Sequence, residues 1–358
     1  MGRFTATDSP AADAIVADAA VGIGKAITAM RIPKLAGVVL GGGYGRGEGG
    51  VIEECRIENV ECRINGSRSS NAECRLSNDL DFFAITEDGA SAAEIAAIAA
   101  ALEPISKEWT AKIGIDVDFT VRTPWRIKHD QERLMIQELV RGYFDVAGKN
   151  GETLFSAIKR IDASKIPWTE AARLIMNRGM GLMLAKCKIE NVKCKNGEAI
   201  NESGATVAEC RMSPERNFIV RNINKCVLGA GDARLIARHA YAWRLADRVS
   251  ALDDNLYAQA AEWKIRPRTD SVCDWETART VWLATYEEIV GAARRSGDPG
   301  LSRTPFYALR WLARRRTIGE LRTLGLDPIV RILERLRPIV ESRQPLSVSL
   351  KKDWQIFN

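Results

Sequence analysis

The chain has 358 residues, of which 46% are apolar and 27% charged, with a net charge of +6 and a pI near 8.9. These values are typical of a soluble globular protein with two or three domains. The charge suits an anionic ligand such as a nucleotide but is too small to require nucleic acid. No apolar run approaches the roughly 20 residues that cross a bilayer, and the N-terminus lacks a signal-peptide pattern. We therefore expect a cytoplasmic protein with no membrane partner.

The first part of the chain alternates predicted helices and strands. Ser9 and Pro10 form an N-cap and first-turn signal, so a helix is expected from there to about residue 30. Ser91 is the expected cap of a second helix, and β-rich apolar stretches predict strands. In chain order these later elements are a strand at 36–40, a strand at 80–86, a helix at 91–105 and a strand at 113–121.

The remainder of the chain has mostly helical patterns. They cover residues 168–186, 216–249, 275–296 and 304–342. A turn-rich link, "GKNGE", separates the two parts near residue 150. We predict an α+β fold class: a small mixed-sheet domain at 1–150, followed by an all-α helical-bundle domain at 151–358.

Two cysteine-containing segments resemble each other although they lie far apart. Residues 55–77 read "CRIENVECRINGSRSSNAECRLS" and residues 187–213 read "CKIENVKCKNGEAINESGATVAECRMS". A zinc site is one interpretation, but their C-x6-C spacing is wider than the usual zinc pairs, and neither histidine of the chain lies in a repeat. The favoured interpretation is an inserted element in two surface loops, at about 53–76 and about 187–213, each able to form a hairpin at its Asn-Gly pair.

Omission of the first insert brings a glycine-rich stretch close to a pair of aspartates. The stretch 40–50, "LGGGYGRGEGG", contains seven glycines and follows a predicted strand. Its last two glycines, Gly49 and Gly50, are interpreted as a flexible shoulder where the insertion begins. When the insert is left out of the count, Asp79-x-Asp81 follows this stretch by about a dozen residues. A third predicted strand carries Asp116-x-Asp118. Residues i and i+2 of a strand point to the same face, so each pair of carboxylates projects together, and Leu80 and Phe82 are expected to point to the other face, into a core.

Carboxylates that project together repel one another, and their pKa values rise unless a cation lies between them. Mg²⁺ is the cation expected for an all-oxygen site that also takes substrate phosphates. A third carboxylate from a neighbouring strand would allow two metals to be held, an arrangement that activates an attacking hydroxyl and stabilises a departing pyrophosphate. The alternative is that each D-x-D is only the solvent-exposed face of an edge strand.

The order glycine turn, D-x-D strand, acidic strand resembles the nucleotidyltransferase superfamily with the DNA polymerase β-like fold. In this resemblance Gly42 and Gly43 match the glycine pair, "RGE" at Arg46 matches its usual continuation, and Asp79 and Asp81 match the metal-binding pair. The third acid is Asp116 or Asp118, with Asp118 favoured because it precedes the apolar "FTV". The chain departs from the family by about two dozen extra residues between the glycines and the acids.

The resemblance implies an enzyme that transfers a nucleoside monophosphate from an NTP, with ATP expected, to a hydroxyl of a small molecule or protein, with release of pyrophosphate. The loop amides would hold the triphosphate, and Mg²⁺ would be held by Asp79, Asp81 and Asp118. Arg46 either adds positive charge there or is a solvated surface residue. The alternative is a catalytically silent protein of this fold that acts in regulation or binds nucleic acid.

Two other phosphate-binding patterns fit less well. Gly45-x-Gly47-x-x-Gly50 has the form of a dinucleotide fingerprint, but the residues after it do not read as a helix and no ribose-binding acid follows about twenty residues on. A P-loop is excluded because no Gly-Lys-Ser/Thr follows the glycines.

The helical part has a few polar positions with two interpretations each. Asn177 and Arg178 are either an exposed helix turn or the lining of a cleft that faces the triphosphate. Gly229 and Gly231 indicate close helix packing or ligand contact, and Asp232 is a weak candidate for a base that deprotonates the acceptor. Two further sets are a core methionine stripe (Met176, Met180, Met183) and a basic aromatic patch (Arg310, Trp311, Arg314, Arg315, Arg316).

Overall fold

The computed structural model describes residues 2–53, 74–195, 213–296 and 328–357. The chain divides into two compact units, Met1–Ile161 with Lys264–Arg268, and Asp162–Trp263 with Thr269–Asn358. The first unit combines a small mixed sheet with helices, and the second is helical, so the fold is α+β. Within the described ranges, no helix is both long and apolar enough to span a membrane.

The first unit is built from six strands and six helices in its described part. Their bounds are α1 Pro10–Met30, β1 Leu35–Leu40, α2 Gly42–Gly45, β2 Val51–Glu53, β3 Cys74–Leu76, β4 Leu80–Thr86, α3 Ala92–Ile113, β5 Val117–Arg122, α4 Pro124–His129, α5 Leu134–Leu139, β6 Phe144–Gly148 and α6 Gly151–Leu154.

Four of these strands form one mixed sheet in the order β5-β4-β1-β6. β1 pairs antiparallel with both β4 and β6, whereas β4 and β5 run parallel. The helix α3 connects β4 to β5, as a crossover between parallel neighbours requires.

Apolar side chains cover both faces of this sheet. One face carries Leu80, Phe82 and Ala84 of β4, which pack with residues of α1 and α3. The other carries Phe83 and Ile85, which pack with residues of α5. The alternation therefore assigns each residue of β4 to a known side of the sheet.

The helix α3 has the predicted start but a later end. The Ser91 hydroxyl accepts a hydrogen bond from the Glu94 amide at 3.2 Å, and the Ser91 amide donates to the Glu94 carboxylate at 2.7 Å, which is a capping box. The predicted end at 105 is wrong, because Ile105 and Trp109 are both buried one turn apart and extend the apolar stripe. Gly114, at φ +76°, ends the helix, so β5 begins at Val117 rather than at 113.

The first cysteine-containing insert leaves and re-enters the fold through a short β-ladder. β2 and β3 pair antiparallel, with Val51 opposite Leu76 and Glu53 opposite Cys74. Residues 54–73, with most of the predicted hairpin, lie outside the described residues. Cys74 and Cys187 are both free thiols.

The second insert does not begin in a loop. The prediction of a loop insertion from residue 187 is wrong at its start, because residues 187–195 continue the helix α7, Trp168–Lys195. The next helix begins at Pro214 after the Ser213 cap, and residues 196–212 lie outside the described part of the chain.

The helical unit is arranged around α7. Its further elements are a 3₁₀ turn at Ala163–Lys165 and helices α8 Pro214–Ala237, α9 Leu245–Leu252, α10 Asn255–Ile265 (whose last two residues fall in the first unit), α11 Trp275–Ser296, α12 Pro328–Ser342 and α13 Val348–Phe357. α7 packs against α8, α11 and α12. Gly181 lies against Asn222 and Gly229 lies against Arg178, so α7 and α8 are antiparallel.

The methionine stripe of α7 is confirmed as core. Met176, Met180 and Met183 have no exposed surface, and they share the core with Trp282, whose indole N–H donates to the Ile175 carbonyl at 2.7 Å. Part of the predicted helix at 304–342 is present as α12. The patch around Trp311 falls outside the described residues.

Candidate functional site

The sequence-predicted acids come together where β4 and β5 begin. The parallel register places Asp81 directly opposite Asp118, one step after the pair Leu80 and Val117. Asp116 lies just before β5, and its carbonyl accepts a hydrogen bond from the Leu80 amide at 2.9 Å. The two D-x-D pairs are therefore side by side on adjacent strands.

These carboxylates leave the sheet on one face. Leu80 and Phe82 are fully buried on the side of α1 and α3, as predicted. Asp79 and Asp81 alternate with them, so they project on the opposite face, at the end of the strand beyond Phe83. Asp81 and Asp118 are exposed, whereas Asp79 is half-buried.

The electrostatics of this group disfavour the ionised state of one member. Partial burial, and then the negative charges of Asp79 and Asp116, raise the pKa of Asp118 above its ordinary value. A bound cation would oppose this rise, because it stabilises ionised carboxylates. Asp118 therefore lies opposite Asp81 in the β4–β5 register and also interacts electrostatically with Asp79.

A glycine turn lies in contact with Asp81. The Gly41 amide donates a hydrogen bond to the Asp81 carbonyl at 2.8 Å. Gly42 adopts a left-handed backbone at φ +62°, and a Cβ there would lie 2.4 Å from Asp81 Oδ2. Only glycine fits this position without strain and without displacement of the carboxylate.

Gly43 has a different environment from Gly42. A Cβ at Gly43 would meet its nearest atom, the Glu48 carbonyl oxygen, at 3.5 Å, an ordinary contact distance. The helix that these glycines open, α2, is a single turn of four residues with no side-chain cap. The turn therefore presents backbone beside the aspartates and little side-chain bulk.

Tyr44, which the sequence analysis did not select, connects the glycine turn to the acidic strand. Its buried hydroxyl donates to the Gly50 carbonyl at 2.7 Å and accepts from the Ser77 amide at 3.1 Å, two residues before Asp79. Burial raises its pKa to about 12, so the phenol stays protonated. A lone aromatic residue among seven glycines was the signal available in the sequence.

The interpretation of Gly49 and Gly50 as a flexible shoulder of the insert is wrong. Both are buried, and a Cβ at Gly49 would lie 2.1 Å from Tyr44 Cδ1. The Gly49 amide also donates to the Phe4 carbonyl at 3.0 Å. These two glycines therefore hold the Tyr44 ring in place.

Arg46 is neither a free surface residue nor an unengaged cation. Its Nε lies 3.4 Å from Glu48 Oε2, and one terminal nitrogen lies 3.2 Å from Glu138 Oε2. Its side chain is only 15% exposed. These two ion pairs connect the end of the glycine loop to α5.

The donor set is suited to Mg²⁺ that arrives with a phosphate ligand. Within residues 2–53, 74–195, 213–296 and 328–357, no three His, Cys, Asp or Glu residues are grouped closely enough to hold a metal alone. Mg²⁺ is commonly held by one or two carboxylates, with waters and substrate phosphates as its other ligands. Asp81 with Asp118, or with Asp79, supplies that number of carboxylates.

The selected polar residues of the helical unit have internal partners, with one exception. Asn177 accepts a hydrogen bond from the Trp354 indole at 2.8 Å. Asp232 accepts from the Tyr257 hydroxyl at 2.6 Å and lies 3.3 Å from Arg248 Nε. These contacts favour structural roles for Asn177 and Asp232, whereas the buried Nε of Arg178 has no hydrogen-bond partner among the described residues.

The geometry thus provides clustered carboxylates, a glycine turn in contact with one of them, and a buried tyrosine that ties the two together. Comparison of the chain with protein-family models, with curated proteins and with solved structures finds no match.

Proposed function

We propose that the protein is a Mg²⁺-dependent nucleotidyltransferase, resembling the DNA polymerase β-like superfamily, that transfers a nucleoside monophosphate from an NTP to a hydroxyl. The observation that carries the proposal is the register of β4 and β5. It sets Asp81 opposite Asp118, and the Asp81 carboxylate leaves no room for a side chain at Gly42. Two D-x-D pairs on separate exposed edge strands would not produce this arrangement.

Each residue has a role that its position supports. Asp79 and Asp81 would hold Mg²⁺, with Asp118 as the third acid. The metal would neutralise the triphosphate and the carboxylates, which is the chemistry that it supplies in such sites. The amides of Gly42 and Gly43 would bind phosphate oxygens, since the turn lets the backbone approach a ligand closely.

The transfer step requires a proton acceptor near the incoming hydroxyl. The acceptor oxygen forms a bond to the α-phosphorus while the bond from that phosphorus to the bridging oxygen breaks, and pyrophosphate leaves. Asp118 would take the hydroxyl proton, because it is the third acid of the site and lies opposite Asp81 on the neighbouring strand.

The test is transfer of label from each of the four NTPs, labelled at the α-phosphate, in the presence of MgCl₂ and cell extract. We expect a labelled product with the wild type and a decrease of about 100-fold or more with Asp81→Asn. Asp88→Asn is the matched control, because Asp88 is an exposed aspartate in the turn just after the same strand. It should keep wild-type activity.

Binding measurements separate the proposal from the silent alternative. Titration of ATP with and without Mg²⁺ should give metal-dependent binding that Asp81→Asn loses and Asp88→Asn keeps. Unchanged binding by Asp81→Asn contradicts the proposed site. Metal-dependent binding without any labelled product favours a catalytically silent protein, and a strongly salt-dependent affinity for RNA or DNA favours nucleic-acid binding.

A further inference from the structure

Arg178 is a charged side chain of the helical unit, and no carboxylate of the residues that the structure describes forms an ion pair with it. Its Nε is buried and has no hydrogen-bond partner within the described part of the chain. Desolvation is the main cause that lowers its pKa. A buried charge without a partner is destabilising, so a group that supplied the missing counter-charge would stabilise the unit.

The helix α8 is shaped to admit this side chain. A Cβ at Gly229 would lie 2.6 Å from Arg178 Cγ and 2.9 Å from its Nε, so the arginine stem lies flat against the bare backbone of Gly229. Two residues later, a Cβ at Gly231 would lie 2.1 Å from Tyr257 Cδ2. Gly229 and Gly231 therefore each make room for a side chain of another helix, Arg178 of α7 and Tyr257 of α10.

The nearest carboxylate does not satisfy Arg178. Asp232 raises the pKa of Arg178, but less than desolvation lowers it. Its oxygen Oδ1 already accepts a hydrogen bond from the Tyr257 hydroxyl and lies at ion-pair distance from Arg248, whose side chain is 2% exposed. Asp232 is thus held by α9 and α10, and among the described residues the Arg178 guanidinium has no direct ion pair.

Arg178 is not fully enclosed by the protein. The residue as a whole keeps an intermediate accessible surface although its Nε is buried. Arg178 therefore lies at the border of the packed core, with its charged group desolvated. An oxyanion that entered along this accessible edge would supply the missing counter-charge, and the planar fork of the guanidinium suits such a group.

We propose that Arg178 is the anchor of an oxyanion-binding subsite in the helical unit, one that takes the phosphate or carboxylate group of a small ligand, with Gly229 providing the space. The proposal does not depend on the nucleotidyltransferase function, because the residues that carry it all belong to the helical unit.

The test is thermal unfolding of the full chain with inorganic phosphate or with acetate, at constant ionic strength. We expect one or both anions to raise the unfolding midpoint of the wild type, and the anion that does so identifies the group bound. Arg178→Met keeps the length of the stem without the charge, and it should bind that anion at least ten-fold more weakly. Without anion, it should unfold at the wild-type temperature or above.

A matched variant and a second substitution make the outcome decisive. Arg216→Met removes an arginine of α8 that is 62% exposed, and it should keep the full response. Gly229→Ala should weaken the response because it displaces the arginine stem. The proposal is overturned if neither anion stabilises the wild type or if Arg178→Met keeps the response. It is also overturned if Arg178→Met, without anion, fails to fold or unfolds several degrees lower than the wild type, since the arginine is then structural.

Discussion

Replacement of Gly42 by alanine tests how the glycine turn and the acidic strand depend on each other. A residue other than glycine in the left-handed region destabilises the folded state by about 1–2 kcal/mol. The lower conformational entropy of the unfolded chain offsets about 0.4–1 kcal/mol of this loss. The net backbone cost is therefore about 1 kcal/mol. In a unit of this size that lowers the unfolding midpoint by about 2–4 °C.

The second effect of Gly42→Ala is local and falls on Asp81. The new Cβ would lie 2.4 Å from Asp81 Oδ2, and ordinary contact begins at 3.4 Å, so the carboxylate must move by the difference, about 1 Å. A displacement of 1 Å in a catalytic group can lower the rate by about 100-fold. We expect this loss in the nucleotide-transfer assay, together with weaker Mg²⁺-dependent ATP binding.

Gly89→Ala separates the two effects. Gly89 has nearly the same backbone, at φ +75°, but a Cβ there meets nothing within 4 Å. It should show the loss of about 1 kcal/mol in urea unfolding and keep full Mg²⁺-dependent ATP binding. If Gly42→Ala binds ATP as well as Gly89→Ala does, the inference that Gly42 positions the Asp81 carboxylate is refuted.

Two other substitutions test the electrostatics and the tether of the site. The raised pKa of Asp118 means that its contribution to stability falls as pH rises through that pKa. Without metal at pH 7, Asp118→Asn should therefore be slightly more stable than the wild type, by no more than about 0.5 kcal/mol, and the two should be equally stable below the ordinary aspartate pKa. With Mg²⁺ and ATP, the wild type should be the more stable of the two. A variant that is less stable than the wild type at pH 7 without metal argues against repulsion at this site. Tyr44→Phe should lower the free energy of unfolding by about 1–3 kcal/mol in urea titrations, because the buried Gly50 carbonyl and Ser77 amide lose their shared partner. A loss below about 0.5 kcal/mol would mean that water replaces the hydroxyl.

Strands and caps with strong local signals were predictable from the sequence. The strand β4 has the predicted bounds of 80–86, and the caps at Ser9 and Ser91 are present with the expected hydrogen bonds. The alternation of residues along β4 also correctly predicted that Leu80 and Phe82 are buried. These features depend on neighbours along the chain, which a single sequence records directly.

The errors concern features that depend on distant contacts. The helix α3 continues to Ile113 because Trp109 finds a place in the core, and the sequence around Pro104 does not reveal that place. The partners of Arg46 include Glu138, which is 92 positions away in the printed numbering. The second repeat begins as helix because α7 extends into it, although its sequence resembles a segment bordered by β-strands.

The glycines give the clearest case of what a sequence pattern leaves undetermined. Gly42, Gly49 and Gly229 were first assigned to phosphate contact, to flexibility and to helix packing or ligand contact. In the structure each one faces a particular side chain from elsewhere, respectively Asp81, Tyr44 and Arg178. A glycine that makes room for a carboxylate, a phenol or a guanidinium lets a polar group come close to backbone, which larger residues would prevent. The facing side chain therefore sets the role of each glycine: substitutions at Asp81 and Arg178 should change ligand binding, whereas a substitution at Tyr44 should change folding.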